Sequence, residues 1–381
     1  MLAVLAPGQG SQKPGFLTPW LALPGVESRL RWWSALSGVD LVHLGTDADE
    51  DEIKDTARTQ PLLVAAALLA AEHLPMHDAA VVAGHSVGEL AASALAGVLS
   101  PEAAITLAGL RGREMAAACA LEPTGMAAVL GGDPDEVVAA IEAAGLSAAN
   151  RNGAGQIVAA GSMEGLDKFA AEPPAKAKVI RLKVAGAFHT PYMAPAEQAL
   201  GLVAGGLSIG TPTKVLLSNL DGTAVDHGPT MVRRLVRQIT APVRWDLCME
   251  QLAALGVTAV VELTPAGTLA GLAKRALKGI EIVQVNTPSD LAKARDAIGR
   301  HGGALSALSP STAFVAIAGT AGRFVPSELV EGSPVEAGQV IGAVGSVDVA
   351  APAAGVLTEW LARPDEPVAP GRPLARIGGQ I

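Results

Sequence analysis

Gly84-His85-Ser86-Val87-Gly88 sets a serine in a G-x-S-x-G pentapeptide, between the apolar run 79–83 and an Ala/Leu-rich helical stretch that opens at Glu89. A strand that turns sharply into a helix lifts a serine hydroxyl clear of the sheet and holds it at the positive end of the helix, as a nucleophile requires. The same letters also fit a glycine-rich turn whose serine only caps a helix. The flanking strand and helix favour the nucleophile.

Four further groups of residues bear on Ser86. Gly8-Gln9-Gly10-Ser11-Gln12 follows the first apolar run directly, and a glycine-rich turn there brings a backbone N–H beside the serine. With the N–H of Val87 it would complete an oxyanion hole, each donor being worth roughly 3 to 4 kcal/mol in such chemistry. A phosphate cradle is the competing reading, but neither a P-loop lysine nor G-x-G-x-x-G follows. For a base there are seven histidines. His43, His73, His77, His227 and His301 read as surface or helix-end residues, and His85 adjoins the nucleophile on a turn whose neighbouring side chains point apart. A lone histidine is more often structural than catalytic, yet elimination and a place at a strand end single out His189 in Gly186-Ala187-Phe188-His189-Thr190-Pro191. Arg111 lies in Leu110-Arg111-Gly112-Arg113. Spacing alone makes it a solvated helix arginine, but one of the pair turned toward a pocket would clamp a carboxylate with its fork. Val236-Arg237-Gln238 reads as a helix end with no chemistry of its own.

The elements that position these residues alternate. Strands are predicted at 2–6 and 81–83, with helices at 61–72, 89–96 and 101–118, the rhythm of a parallel sheet wrapped by helices. The pattern then becomes strand 126–130, helix 133–144, strands 147–150 and 156–160, helix 163–171 and strand 178–184. That βαββαβ order is the ferredoxin-like unit, expected as an insertion because the α/β rhythm resumes with a helix from Pro195 and strands near Val215 and Val260.

Composition bounds the function. The 381 residues are half hydrophobic and 17% charged, which fits a globular chain of two or three domains. Aromatics are only 3%, so Ala, Val and Leu must build the core. A net charge of −9 and the lack of a basic cluster with interleaved aromatics argue against nucleic acid as a partner. Cys119 and Cys248 stand apart and outside any C-x-x-C, as buried thiols in a reducing, cytoplasmic compartment do. The apolar start lacks a basic leader region and no apolar run is long enough to span a membrane, so neither a signal peptide nor membrane association is expected.

Residues 302–311 are small and linker-like. Beyond them, 322–345 and 355–378 superpose at a spacing of 33: Pro334-Val335 matches Pro367-Val368, and Gly338 matches Gly371. Two copies of a short β-rich unit imply a pseudo-two-fold β module, since one copy alone would bury too little.

The chain resembles the malonyl-CoA:acyl carrier protein transacylases over about residues 1–300. The resemblance rests on Pro7-Gly8-Gln9-Gly10-Ser11-Gln12, Gly84-His85-Ser86-Val87-Gly88-Glu89, Arg111-Gly112-Arg113, Asn150-Arg151-Asn152 with Gln156, Ala187-Phe188-His189, Val236-Arg237-Gln238 and Pro265-Ala266-Gly267, in that order. It implies a hydrolase-like α/β core at 1–124 and 188–301 with the ferredoxin-like insertion at 125–187. It also implies ping-pong transfer of malonyl from malonyl-CoA through Ser86 to the phosphopantetheine thiol of acyl carrier protein, for fatty acid synthesis. In that family the Ser86 position is the nucleophile, His189 the base, and Gln238 the partner that orients the base through its main-chain carbonyl. Arg111 is the carboxylate clamp, and Gln9 and Val87 are the oxyanion donors. Phe188 goes with malonyl where serine goes with methylmalonyl, and Asn152 joins the substrate-binding set. Ala266 departs from the usual second glycine-proline pairing, a harmless change.

The tail, 312–381, has no counterpart in the minimal transacylase and resembles a biotinyl/lipoyl hammerhead. Its hairpin, Val344-Gly345-Ser346-Val347-Asp348, lacks the carrier lysine, and no lysine follows Lys293, so neither biotin nor lipoyl attachment is expected and no cofactor is called for. Three other functions compete. An acyltransferase of a polyketide or malonate decarboxylase pathway would look nearly the same. A serine esterase or thioesterase should show serine, acid and histidine in that order, and Asp296 and His301 supply it only from one predicted helix. An inactive scaffold sits poorly with intact Ser86, Arg111 and His189.

Overall fold

The structure, a computed structural model, describes residues 1–303 and 313–378; the expected linker falls almost entirely outside the described residues. Contacts divide the chain into two compact units, Met1–Ala304 and Leu305–Ile381.

The first unit opens with β1 (Leu2–Ala6), α1 (Val26–Ser37), α2 (Leu41–Thr46), α3 (Thr56–Glu72), β2 (Val81–Gly84), α4 (Gly88–Leu95) and α5 (Pro101–Cys119). It continues with β3 (Thr124–Gly131), α6 (Pro134–Ala143), β4 (Ser147–Gly153), β5 (Gln156–Ser162), α7 (Met163–Ala171) and β6 (Ala177–Arg181). Then come α8 (Ala194–Ala204), β7 (Val215–Leu217), β8 (Ala224–Val225), α9 (Gly228–Arg237), β9 (Val243–Arg244) and α10 (Trp245–Ala254), and it closes with β10 (Ala259–Glu262), α11 (Thr268–Ala276), β11 (Glu281–Gln284) and α12 (Leu291–His301).

Two sheets organise this unit. The first runs β11-β10-β1-β2-β7-β8, parallel except for the edge pair β7 and β8. Every residue of β1 and β2 is buried, so these strands are continuous apolar runs, as helix coverage of both faces demands. The second runs β6-β3-β5-β4-β9 and is antiparallel except for β9, which joins β4 at Asn150 and Val243. Its two faces are both used. Ala127 and Val129 pack with Val137, Ile141, Leu166 and Phe169 of α6 and α7, while Met126 and Val158 turn to a cluster holding Phe188 and Ile239. That second cluster is where this sheet meets the residues of interest.

Several predicted boundaries shift: the strands expected to end at 150 and 160 run on to Gly153 and Ser162, and two other ends move as well. The helix expected from Pro61 begins at Thr56, because the Asp55 carboxylate caps the Ala57 N–H and Pro61 is carried inside the helix. The strand expected to reach Val184 ends at Arg181, after which only the Leu182 N–H still bonds to Met126. The short α1 and α2 were not singled out from sequence. Among the described residues no helix is long and apolar enough to cross a membrane.

The second unit is all β: β12 (Ala313–Ile317), β13 (Gly322–Pro326), β14 (Pro334–Val335), β15 (Val340–Val344), β16 (Val347–Ala350), β17 (Gly355–Trp360), β18 (Pro367–Val368) and β19 (Pro373–Gly378). Two four-stranded sheets form, β12-β19-β17-β14 and β16-β15-β13-β18. The first strand of each copy pairs with the second strand of the other, β13 with β18 and β17 with β14. The core repeats with the sequence: Phe324, Val335, Ile341 and Val344 are matched by Leu357, Val368, Leu374 and Ile377. Neither copy closes a sheet alone, which is the reason the repeat is double.

Candidate active site

The elbow is set by close approach. A Cβ on Gly84 would lie 2.0 Å from the Gly88 carbonyl carbon, and one on Gly88 would lie 2.3 Å from the Ala6 oxygen. Only glycine lets strand, turn and helix meet so tightly. Ser86 pays with a left-handed backbone, φ 53°, and His189 has φ 61°. Such a conformation costs a non-glycine residue about 1 kcal/mol or more and needs outside support. Asn219, just beyond β7, supplies it: its Oδ1 accepts the Ser86 N–H at 2.7 Å and its Nδ2 donates to Gly84 O at 2.8 Å.

Ser86 Oγ lies 2.8 Å from His189 Nε2, and His189 Nδ1 lies 2.8 Å from the backbone oxygen of Gln238. A carbonyl only accepts, so Nδ1 carries the proton and Nε2 is the free base facing the serine. Burial, then the Arg111 charge, pushes the His189 imidazole down to about 3, which keeps it neutral in ordinary buffers.

Arg111 reaches the serine from the middle of α5. A Cβ on Gly112 would lie 2.8 Å from Thr56 O, so α5 packs tightly on α3 and the Arg111 side chain is driven inward. Its guanidinium donates to Gln60 Oε1 at 2.7 Å, Gln238 Oε1 at 3.0 Å and Ser86 Oγ at 3.3 Å. Arg113 is exposed and caps Ser37 O at 2.9 Å, which settles which of the pair faces the pocket. Although only 3% exposed, Arg111 has no carboxylate within ion-pair distance among the described residues. Burial lowers its guanidinium only to about 10, so it stays charged at neutral pH.

The site opens on a cleft of about 530 Å³ between the two sheets. Gln9, Val87, Phe188 and Asn152 all line it. Among the described residues neither the Gln9 nor the Val87 backbone N–H has a hydrogen-bond partner. Phe188 is buried beside His189. Asn152 is already engaged: its Oδ1 meets His85 Nε2 at 2.9 Å and its Nδ2 donates to Gln156 at 3.3 Å. His85 therefore points away from Ser86 and packs edge-to-face on Trp245, the ring centroids 5.4 Å apart. Asp296 and His301 share α12, far in sequence from the elbow, and His301 binds Glu281.

Three residues of the site were not read from sequence. Gln60 precedes Pro61 on α3, Asn219 follows a strand, and Glu89 ends the elbow motif but was not assigned a role. All three are buried polar side chains within this network. Glu89 Oε1 accepts the Asn219 N–H at 2.6 Å, and Glu89 Oε2 accepts from Gln238 Nε2. Burial pushes the Glu89 carboxyl up to about 8, with the Asn219 N–H and then the Arg111 charge opposing only part of that rise.

Comparison with known proteins agrees with this arrangement. Residues 5–295 match the acyl transferase domain family. The malonyl CoA-acyl carrier protein transacylase of Mycolicibacterium smegmatis is 56% identical over 283 residues, 72% of this chain and 98% of that protein. The crystal structure of MCAT from Mycobacterium tuberculosis superposes with a TM-score of 0.75 at 52% identity, covering 77% of this chain and 99% of that one. A malonyl-transacylase solved in complex with its type II PKS acyl-carrier protein superposes with a TM-score of 0.73 at 31% identity, again over 77% of this chain and 99% of the other. On sequence and fold alike, the chain belongs to the acyl transferase family, in the group of the malonyl CoA-acyl carrier protein transacylases.

Proposed function

We propose that this protein moves a malonyl group from malonyl-CoA to the phosphopantetheine thiol of an acyl carrier protein, through a malonyl ester on Ser86. The observation that carries the reading is Arg111, a buried cation with no carboxylate within ion-pair distance among the described residues, 3.3 Å from the nucleophile oxygen. An acyl group ending in a carboxylate would complete it.

In the first half-reaction Ser86 Oγ attacks the thioester carbonyl as its proton passes to His189 Nε2. The carbonyl electron pair becomes an oxyanion held by the Gln9 and Val87 N–H groups. When the C–S bond breaks, the coenzyme A sulfur leaves and takes the proton from His189. The carrier thiol then gives its proton to His189 and attacks the ester carbonyl, and as the C–O bond to Ser86 breaks the serine oxygen takes that proton back from His189. Gln238 orients the imidazole throughout; a neutral carbonyl stabilises imidazolium less than a carboxylate would. Phe188 and Asn152 shape the wall around the acyl group.

Residues 1–124 and 188–301 are read as a hydrolase-like core and 125–187 as a ferredoxin-like insertion, supported by the strand order β6-β3-β5-β4. The tail is read as a hammerhead-like module without a carrier lysine, and the protein as cytoplasmic. Incubation with malonyl-CoA followed by intact-mass and peptide analysis tests the reaction: a malonyl adduct on Ser86 is expected, and none in Ser86→Ala. Undiminished labelling of that variant would end the proposal.

A further inference from the structure

The acyl specificity of this site has a second contributor behind the first. Arg111 is held by two amides, and that of Gln238 is bound at both ends. Its Oε1 accepts from Arg111 Nη2 at 3.0 Å, while its Nε2 donates to Glu89 Oε2 and lies 3.3 Å from Asn219 Oδ1. The other oxygen of Glu89 accepts the Asn219 N–H. Both Glu89 oxygens thus receive donors, the contact pattern of the ionised form; burial raises this carboxyl to about 8, and once ionised above that pH it can only accept. Gln238 must therefore turn its amide nitrogen to Glu89 and its oxygen to Arg111. With the opposite orientation an amide N–H would face the guanidinium, and the arginine would lose one of its two amide acceptors. The charge of ionised Glu89 also reaches Arg111 without direct contact.

We propose that Glu89 is a positioning residue for acyl specificity: through the Gln238 side chain it aims the Arg111 guanidinium at the acyl pocket and so selects acyl groups that carry a free carboxylate. The inference rests on the transfer reaction proposed above. It is separable from the elbow's main support, because Asn219 holds Ser86 and Gly84 with its side chain while Glu89 meets Asn219 only at its backbone; Gln238 Nε2 adds a weaker contact to Ser86 O at 3.4 Å. It is also separable from the base, which Gln238 holds with its main chain.

The test is the ratio of kcat/KM for malonyl-CoA to that for acetyl-CoA in the full chain. Glu89→Gln, whose amide can present either end to Gln238, should lower this ratio roughly 10- to 30-fold, about one charge-assisted hydrogen bond, through a raised KM for malonyl-CoA with acetyl transfer kept. Glu89→Asp, which keeps the charge but retracts it, should fall between. In an Arg111→Ala background Glu89→Gln should change the ratio by no more than about twofold, since the two act as one unit. Equal loss of malonyl and acetyl transfer, an unchanged ratio, or failure of both Glu89 variants to fold would each overturn the inference and leave Glu89 a support of the elbow. If Arg111→Ala itself left the ratio intact, the proposed reaction would fall, not only the role of Glu89.

Discussion

Replacing Arg111 by alanine separates binding of the acyl carboxylate from chemistry at the carbonyl. The guanidinium makes three hydrogen bonds, to Gln60, Gln238 and Ser86, and no ion pair among the described residues. Its loss strands two amide oxygens, a cost of about 1 to 3 kcal/mol each if they stay dry. The space opens toward the cleft, so water can reach them, and the desolvation penalty of a buried cation disappears at the same time. The fold should therefore survive with little net change in stability. Transfer should not: a charge-assisted bond to the malonyl carboxylate is worth roughly 1.5 to 3 kcal/mol, about 10- to 150-fold in kcat/KM for each bond lost. Acetyl-CoA has no such carboxylate, and its transfer should be kept or raised. Parallel kcat/KM measurements on the two thioesters, with a thermal midpoint as the control, read this directly. Equal losses with an unchanged midpoint would mean that Arg111 acts on the serine and not on the acyl group, and the reasoning from its missing counter-ion would be refuted.

The remaining predictions concern the base and the elbow. Because burial and Arg111 hold the His189 imidazole near 3, kcat/KM of the free enzyme for acetyl-CoA, which does not draw on Glu89, should stay flat from about pH 8 down to about pH 5, with no limb near the ordinary histidine value of about 6.5; a limb at pH 6 to 7 would place the base elsewhere. His189→Ala should slow acylation by two to four powers of ten, roughly the contribution of a general base. The sign for stability follows: the unfolded chain takes up this proton near 6.5 and the folded chain only near 3, so this residue makes the fold less stable as pH falls through that window, and His189→Ala should flatten the loss. Gly88→Ala puts a methyl 2.3 Å from Ala6 O, an overpacking worth about 1 to 3 kcal/mol, and should lower both the thermal midpoint and the yield of acyl-serine. An unaltered midpoint would show that the elbow is looser than its contacts imply.

The sequence by itself determined whatever depends on neighbours along the chain. The apolar runs of β1 and β2, the glycines of the elbow and the Asp133 cap of α6 are local signals, and each yields its element with small errors at the ends. The 33-residue repeat likewise forecast the matched cores of the tail, because identical spacing places equivalent residues on equivalent strands. What only the tertiary structure decided is which polar groups meet. Arg111 and Arg113 look alike in sequence, and the approach of α5 to α3 at Gly112 chooses between them. Gln60, Glu89, Asn219 and Gln238 come from four separate elements, 149 residues apart in the case of Glu89 and Gln238. No periodicity marks them, since a buried polar residue is defined by the partners that satisfy it, and those partners exist only once the chain has folded.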